Sequence, residues 1–431
     1  TGIYSTVPGL LLLYYLTDTL GIAAELAGLA VFLPKLWDVV TDPAMGHLSD
    51  RTSTRWGRRR PYLLAGGVLL PIAFALLFSA PAAMGGEAAF YYTLAMYALC
   101  ATAFTVFSVP HVAMPAEMSG DYHVMTRLMA YRMAFMTAGI LIAGAGAPLL
   151  VKAGGGGRPG YALMSWVIAG VCLAALVGAF WGTRRAPFAQ ATAAAAAVPV
   201  VEQIRLTARN RPFRVLVGAY FLQLTAVGCL LAMVPYFARY VLAGDEDTVT
   251  ILFVCLVGPA IVTMPLWSAV SRRIGKERAY SAALWIFAAA ACGLGWSAGS
   301  GMAAPVACVA VMGVAYAATQ LFPFSMLPDI QRAEAAESGL RREGVLSGIW
   351  MAVDKGGLAF GALLAAQVLA GSGFVAQGDG AAAQPASART GIILAMSLAP
   401  ALLSAASAAL MRRYDLSAAR LAALAGGPRQ G

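Results

Sequence analysis

Long apolar runs recur along the whole chain, separated by short turns that hold most of its charge. A helix needs ~20 apolar residues to cross the hydrocarbon of a bilayer. Backbone in hydrocarbon must also satisfy its own hydrogen bonds, which leaves helices or closed barrels. The runs are rich in Gly and Ala and show no short alternating segments, so they read as helices and not as barrel strands. Only 12% of the 431 residues are charged and 60% are hydrophobic, against about 25% charged in a soluble chain. The fold class is therefore an all-α membrane protein.

The spacing predicts twelve spans, at 3–16, 22–48, 62–82, 88–114, 127–151, 160–182, 213–240, 248–270, 279–298, 303–328, 344–371 and 389–411. The first is too short to cross, and residues are expected ahead of it. The longest connection contains "AQATAAAAAVPVVEQIRLTARNRP", an alanine-rich stretch followed by a basic one. It divides the chain into a six-helix bundle over 1–182, a cytoplasmic linker over 183–212, a second six-helix bundle over 213–411 and a tail over 412–431. "GHLSDRTSTRWGRRRPY" after the second span is faintly echoed by "SAVSRRIGKERAY" after the eighth. Such repetition marks transporters built from two similar bundles around a midplane site.

Basic residues crowd the connections between spans 2–3, 6–7, 8–9 and 10–11 and the tail. The opposite connections hold Lys152, Arg158 and Arg389, with an acidic run at Asp245, Glu246 and Asp247. By the positive-inside rule both termini are expected in the cytoplasm, and a bacterial inner membrane is the expected location. Topology also accounts for the net charge of +10, so no nucleic-acid partner is expected. All six cysteines fall in apolar segments and read as small buried hydrophobes. No P-loop, Ser/His/Asp set or metal cluster appears, so an enzyme is not expected.

Ionisable groups at bilayer depth cost at least ~2.5 kcal/mol unless they face protein or water. The candidates are Lys35, Asp38, Asp42, Arg132, Asp354 and Lys355. Asp38 and Asp42 are one helical turn apart on one face. Two close carboxylates repel, which raises one pKa or draws in a cation. An oxygen-lined site suits a proton or a monovalent hard cation; zinc or iron would want His or Cys. The alternative is a buried network in which Lys35 and Arg132 only neutralise the acids. "TDPAMG" follows directly and is expected to unwind, opening carbonyls. Lys355, before a Gly pair, is expected to reach Asp42 or else to pair locally near Asp354. Asp50 with Arg51, Arg58, Arg59 and Arg60 sits at a helix end and reads as a conformational latch.

Several stretches carry a family resemblance. "LWDVVTDPAMGHLSDRTSTRWGRRRPY", "FTVFSVPHVAMPAEM", "TRLMAYRMAF" and "FPFSMLPDI…RREGVLSGIWMAVDKGGLAFGALL" resemble, in order, the motifs of the glycoside–pentoside–hexuronide:cation symporter family. That family lies within the major facilitator superfamily. The resemblance spans roughly 20–412 and implies cation-coupled symport of a sugar or glycoside by alternating access. It implies a cation site at Asp38 and Asp42 with Lys355 nearby, and a sugar-contacting arginine at Arg132.

The departures are informative. Ser108 stands where the pattern offers a third cation-site aspartate, so only a hydroxyl is available there. Gln320 replaces a tryptophan, and Trp350 occupies a position that is elsewhere polar. The expected solute site therefore draws on Arg132, His111 and Gln320 for polar contact and on Trp350 for an aromatic face. No cofactor is expected beyond the coupling ion, H+ or Na+, and the only metal expected is Na+ at Asp38 and Asp42. Expected partners are a small-molecule substrate, the cation and membrane lipid, with the protein a monomer. An animal relative that moves lysophospholipid with sodium also lacks the span-four aspartate, which keeps an amphiphilic substrate open. A non-transporting receptor or scaffold is the alternative of another class.

Overall fold

The computed structural model describes residues 2–52, 54, 56–118, 122–184, 210–338, 343–378 and 383–416. These residues form helices joined by short turns. Helix α1, Gly2–Val7, runs on through two π-helical turns, Pro8–Leu12 and Tyr15–Thr19. Then follow α2 (Ala24–Arg51), α3 (Arg60–Leu77), α4 (Gly86–Met118), α5 (Tyr122–Ala153) and α6 (Gly157–Gly182). Next comes α7 (Arg211–Tyr236), which is extended by a π-helical turn, Phe237–Val241. It is followed by α8 (Glu246–Ile274), α9 (Lys276–Trp296), α10 (Ala303–Ser338) and α11 (Glu343–Gly371). The last span is split into α12 (Ala386–Met396) and α13 (Leu398–Met411). Pro400 explains the break: it lacks an N–H and its ring crowds the carbonyl of Met396 four residues back.

Ten of these segments are long and apolar enough to cross a membrane. The first two stand apart for different reasons. Gly2–Leu12 is a short apolar helix. Helix α2 has 28 residues but is diluted by Lys35, Asp38 and Asp42. The expected unwinding at "TDPAMG" does not occur, because α2 remains helical through both Pro34 and Pro43. Pro43 still removes the donor that the Val39 carbonyl would use in a regular helix. The latch residue Asp50 has its backbone in α2, but its side chain lies outside the described residues. Most of the predicted linker lies outside them too, as does the tail beyond residue 416.

Two compact units interleave along the chain. One holds Thr1–Ala193, Val234–Thr250 and Ala362–Gly391; the other holds Ala194–Met233, Ile251–Gly361 and Ile392–Gly431. In the first unit α1 and its continuation are buried on nearly every side, through Tyr4, Val7, Leu10 to Leu13, Tyr15 and Leu16. Helices α3 and α4 touch at Gly66, where a Cβ would lie 2.7 Å from the Phe107 backbone nitrogen.

The second unit is centred on a core that includes Tyr220, Tyr280, Phe322 and Trp350. Its helices α7 and α11 approach through a glycine on each. A Cβ on Gly228 would sit 2.9 Å from Leu358 Cα, and one on Gly361 would sit 2.5 Å from the Cys229 nitrogen. Lipid gives no hydrophobic reason for helices to associate, so such close packing supplies much of the attraction. Of the cysteines, Cys100 and Cys229 are buried as expected, whereas Cys292 is exposed on α9. All six are free thiols.

The glycine contact yields a stability prediction. Gly361→Leu should lower unfolding free energy by about 1–3 kcal/mol, the usual cost of overpacking. Gly348 has nothing within 4 Å of its would-be Cβ, so Gly348→Leu serves as the control. Thermal unfolding of both variants in detergent checks it: an unchanged transition for Gly361→Leu means that α7 and α11 are not held by this contact.

Candidate functional site

The first unit brings the α2 acids against α4. Thr105 Oγ1 donates to Asp42 Oδ1 at 2.6 Å and lies 3.4 Å from Asp38 Oδ1. One hydroxyl has one proton, so the shorter contact takes it and the longer is a weak second branch. Asp38 is fully buried, at 0% exposure, while Asp42 is half-buried. Lys35 Nζ stands 3.8 Å from Asp38 Oδ2, an ion pair too long for a good hydrogen bond. The same ammonium lies 4.8 Å from the Tyr4 ring centre and 5.2 Å from that of Tyr97. Cation–π attraction to both rings offsets part of the cost of taking Lys35 out of water.

Neighbouring contacts set the register of the two helices. The indole N–H of Trp37, the residue before Asp38, donates at 3.0 Å to the Oγ1 of Thr102, one turn before Thr105. Tyr4 stacks on Phe104 at 4.4 Å, which ties α1 to the same stretch of α4. Ser108 is buried one turn beyond Thr105, and among the described residues no hydrogen bond joins it to either aspartate. Thr105 is the α4 hydroxyl that meets them. Sequence reasoning missed it, although its i, i+3 spacing from Ser108 puts both on one side of α4.

The remaining expected solute contacts fall into two groups. Arg132 is half-buried on α5. His111 is half-buried on α4 with its ring stacked on Phe107, centres 5.1 Å apart. In the second unit Gln320 Nε2 donates to the Tyr316 hydroxyl. Trp350 is 1% exposed and its ring lies flat on Tyr220, with centres 4.4 Å apart. Phe324 meets Trp350 edge-on at 5.7 Å. Trp350 is thus a core residue whose face is already covered, which corrects the expectation of an open aromatic face. Its effect is to hold Tyr220, whose hydroxyl donates to Asp354. Lys355, the next residue on α11, is half-buried.

At the basic end, Arg59 and Arg60 of the expected latch are buried, Arg58 is half-buried and Arg51 is exposed. Arg60 Nη2 donates to the Phe180 carbonyl at 3.1 Å, and its guanidinium lies 4.5 Å from the Phe180 ring. Arg60 therefore anchors α3 to the end of α6.

The opposite end of the first unit carries a polar clasp that the sequence did not announce. Lys152, at the end of α5, donates to Asp245 Oδ2 at 2.7 Å and also to Asp247. Tyr240 donates to Asp18. The hydroxyls of Thr17 and Tyr236 are 2.6 Å apart, and Gln377 N–H donates to the Thr17 carbonyl at 3.1 Å. A cavity of about 430 Å³ lies among these groups, lined by Tyr14, Asp18, Tyr161, Arg239, Glu246 and Gln377 among others. Arg158 and Arg389, also at this end, tie backbone. Arg158 donates to the carbonyls of Pro81 and Met84 at 3.0 and 3.1 Å. Arg389 donates to that of Val241 at 3.3 Å. Hydrogen bonding from Lys152 holds the Asp245 carboxyl below its ordinary pKa.

Comparison with known proteins agrees with this architecture. Residues 1–418 match the family described as MFS/sugar transport protein. A putative glycoside/cation symporter of Escherichia coli, YagG, is 27% identical over 96% of this chain and 89% of its own length. A sodium-dependent lysophosphatidylcholine symporter of Danio rerio is also 27% identical, over 76% of this chain and 67% of its own. Among solved structures, the D-xylose–proton symporter superposes with a TM-score of 0.66 at 13% identity, covering 95% of this chain and 94% of that one. The nucleoside transporter NupG gives 0.67 at 13%, covering 96% of each. The chain belongs to the MFS/sugar transport protein family of the major facilitator superfamily, and is a membrane transporter, not an enzyme.

Proposed function

We propose that this transporter is a symporter that moves a sugar, a glycoside or a related small polar solute together with a cation, by alternating access. The observation that carries the reading is the meeting of Asp38, Asp42 and Thr105 beside Lys35. A merely structural contact has no reason to bury two carboxylates one turn apart in hydrocarbon. Asp42, the more accessible of the two, is the main carrier, with Asp38 as co-ligand. The proton is the coupling ion of this proposal. A sodium ion wants several oxygen ligands around it, whereas Ser108 makes no hydrogen bond to the pair among the described residues and Thr105 already gives its proton to Asp42; a proton needs a single carboxylate oxygen.

The Escherichia coli relative, a putative glycoside/cation symporter, supports a sugar-like solute. Arg132 offers a planar fork suited to vicinal hydroxyls or a carboxylate, with His111 as a second polar contact. A lysolipid is the second reading, favoured by the Danio rerio relative of equal identity. Uptake into proteoliposomes under imposed H+ or Na+ gradients, screening glycosides against lysolipids, tests all of this. Uptake that ignores both gradients overturns the symport reading.

The basic loops support a cytoplasmic location for both termini. In that orientation the clasp lies on the outer side, where it acts as an outer gate drawn shut in the conformation described.

Substitution separates the roles within the acid pair and its partner. Asp42→Asn should abolish gradient-driven accumulation and leave solute exchange down its own gradient. Thr105→Ala should tighten proton binding, because it removes a donor that favours the charged carboxylate, by about 1.5–3 kcal/mol, the range for one hydrogen bond to a charged group. Normal accumulation by Asp42→Asn would mean that the acid pair only holds helices together.

The clasp makes its own prediction about pH. A carboxyl with a depressed pKa keeps its contact above its ordinary value of ~3.9 and loses it only as pH falls through the lowered one. Acidifying the outer side from pH 7 to 5 should therefore leave the Lys152–Asp245 contact closed. Lys152→Gln should open the gate at any pH. Labelling of a cysteine placed at Val249, with the native cysteines replaced, by a membrane-impermeant maleimide reads both effects. Labelling that rises between pH 7 and 5 with Lys152 in place would refute the first, and unchanged labelling in Lys152→Gln the second.

A further inference from the structure

The second unit has a cavity of about 520 Å³ at its basic end, lined by Arg211, Arg214, Val215, Leu410 and Arg413. It lies where α7 begins and α13 ends. Arg211 and Arg214 are three residues apart and share one face of α7. Gly218 continues that face, and a Cβ there would lie 3.0 Å from Leu410 Cδ2, so α13 seats directly on α7. The register is fixed by Ser407 Oγ donating to the Ala219 carbonyl at 2.7 Å and Ser404 Oγ donating to Gln223 Oε1 at 3.2 Å.

Three guanidinium groups thus meet at a cavity whose lining includes no carboxylate. Among the described residues, none of the three guanidinium groups makes a hydrogen bond or an ion pair. The first turn of α7 has no acidic residue. Its cap is Asn210, whose Oδ1 accepts from Phe213 N–H at 3.0 Å and whose amide donates to Glu334 at 2.9 Å. The positive end of the α7 dipole adds to the repulsion among the arginines. An anion placed here relieves both.

The surroundings narrow the kind of anion. The floor of the cavity is apolar, Val215 and Leu410. On α13, Leu398 is 43% and Leu402 61% exposed. Arg413 follows Leu402 eleven residues on, three helical turns, so exposed apolar side chains lead along one stripe to the cationic rim. A free phosphate ion would use the rim and ignore the stripe. A phospholipid uses both, with its phosphate in the arginine forks and its acyl chains along α13.

We propose that this cavity is a binding site for the headgroup of an anionic phospholipid, which clamps the start of α7 to the end of α13. The inference is independent of which solute or cation is carried. It is tested on the full-length protein by native mass spectrometry after exchange into phosphatidylglycerol, phosphatidylcholine or an equal mixture. The protein should retain phosphatidylglycerol over phosphatidylcholine. R211Q/R214Q/R413Q should lose that preference at least tenfold, and the corresponding triple lysine variant should keep part of it. If the triple glutamine variant does not fold, Arg413→Gln, which lies beyond the helix end, should still lower the ratio. Equal retention of both lipids, or an unchanged ratio in the variants, overturns the proposal. Glycerol 3-phosphate that displaces the lipid at equal concentration would also overturn it, by showing a site for soluble phosphate.

Discussion

Burying Asp38 and Asp42 in a helix that must sit in a bilayer is the demand to which the first unit is built. A carboxylate taken out of water needs an opposite charge and hydrogen bonds to its oxygens, or its burial is a net loss. Lys35 meets the first need at 3.8 Å, and Thr105 meets the second at 2.6 Å for Asp42. Each of these helpers then requires support of its own. Lys35 lies against Tyr4 on α1 and Tyr97 on α4. Thr105 is positioned by the α2–α4 register that the Trp37–Thr102 bond holds. The central place of α1, α2 and α4 therefore follows from charge as much as from hydrophobicity. It also explains why α2, though 28 residues long, falls short of the hydropathy of its neighbours: its buried charges face protein.

Much of this is legible in the sequence because the membrane reduces the structural choices. Apolar length marks out the helices, and the i, i+4 spacing by itself puts both acids on one face. Three features stay hidden. Thr105 is a hydroxyl in an apolar run, and nothing local separates it from Thr102 or Ser108; only the rotation of α4 against α2 does. Trp350 reads as an open aromatic face because the family pattern is polar at that position, yet Tyr220, more than a hundred residues earlier, covers it. The unwinding read into "TDPAMG" fails because two prolines remove donors without breaking a helix that is packed on its neighbours. The first two misses concern how one helix is turned toward another, which local sequence does not encode.

The clasp and the acid pair differ in kind, and the difference bears on mechanism. Asp38 is shielded from solvent and Asp42 partly so, which strengthens the contacts they make. The Lys152 and Asp245 side chains are 44% and 46% exposed, where water and salt screen an ion pair. The proposed gate has to open in each cycle, and contacts of that modest strength suit it. The aromatic contacts behind the ion pair are more enclosed. Tyr236 packs on Tyr14 at 5.0 Å and on Phe374 at 5.4 Å, and its hydroxyl meets Thr17.

On the proposed reading, the exposed charges select the register of closure and the buried rings exclude solvent once it is reached. Tyr236 ends α7 and Tyr240 lies one turn on, within Phe237–Val241, so a small rotation of that helix end would release both hydroxyls together. The acceptor of one, Asp18, is itself ionisable and lines the 430 Å³ cavity. On the proposed reading, the side chains that close this end and those that line the cavity behind them are one group.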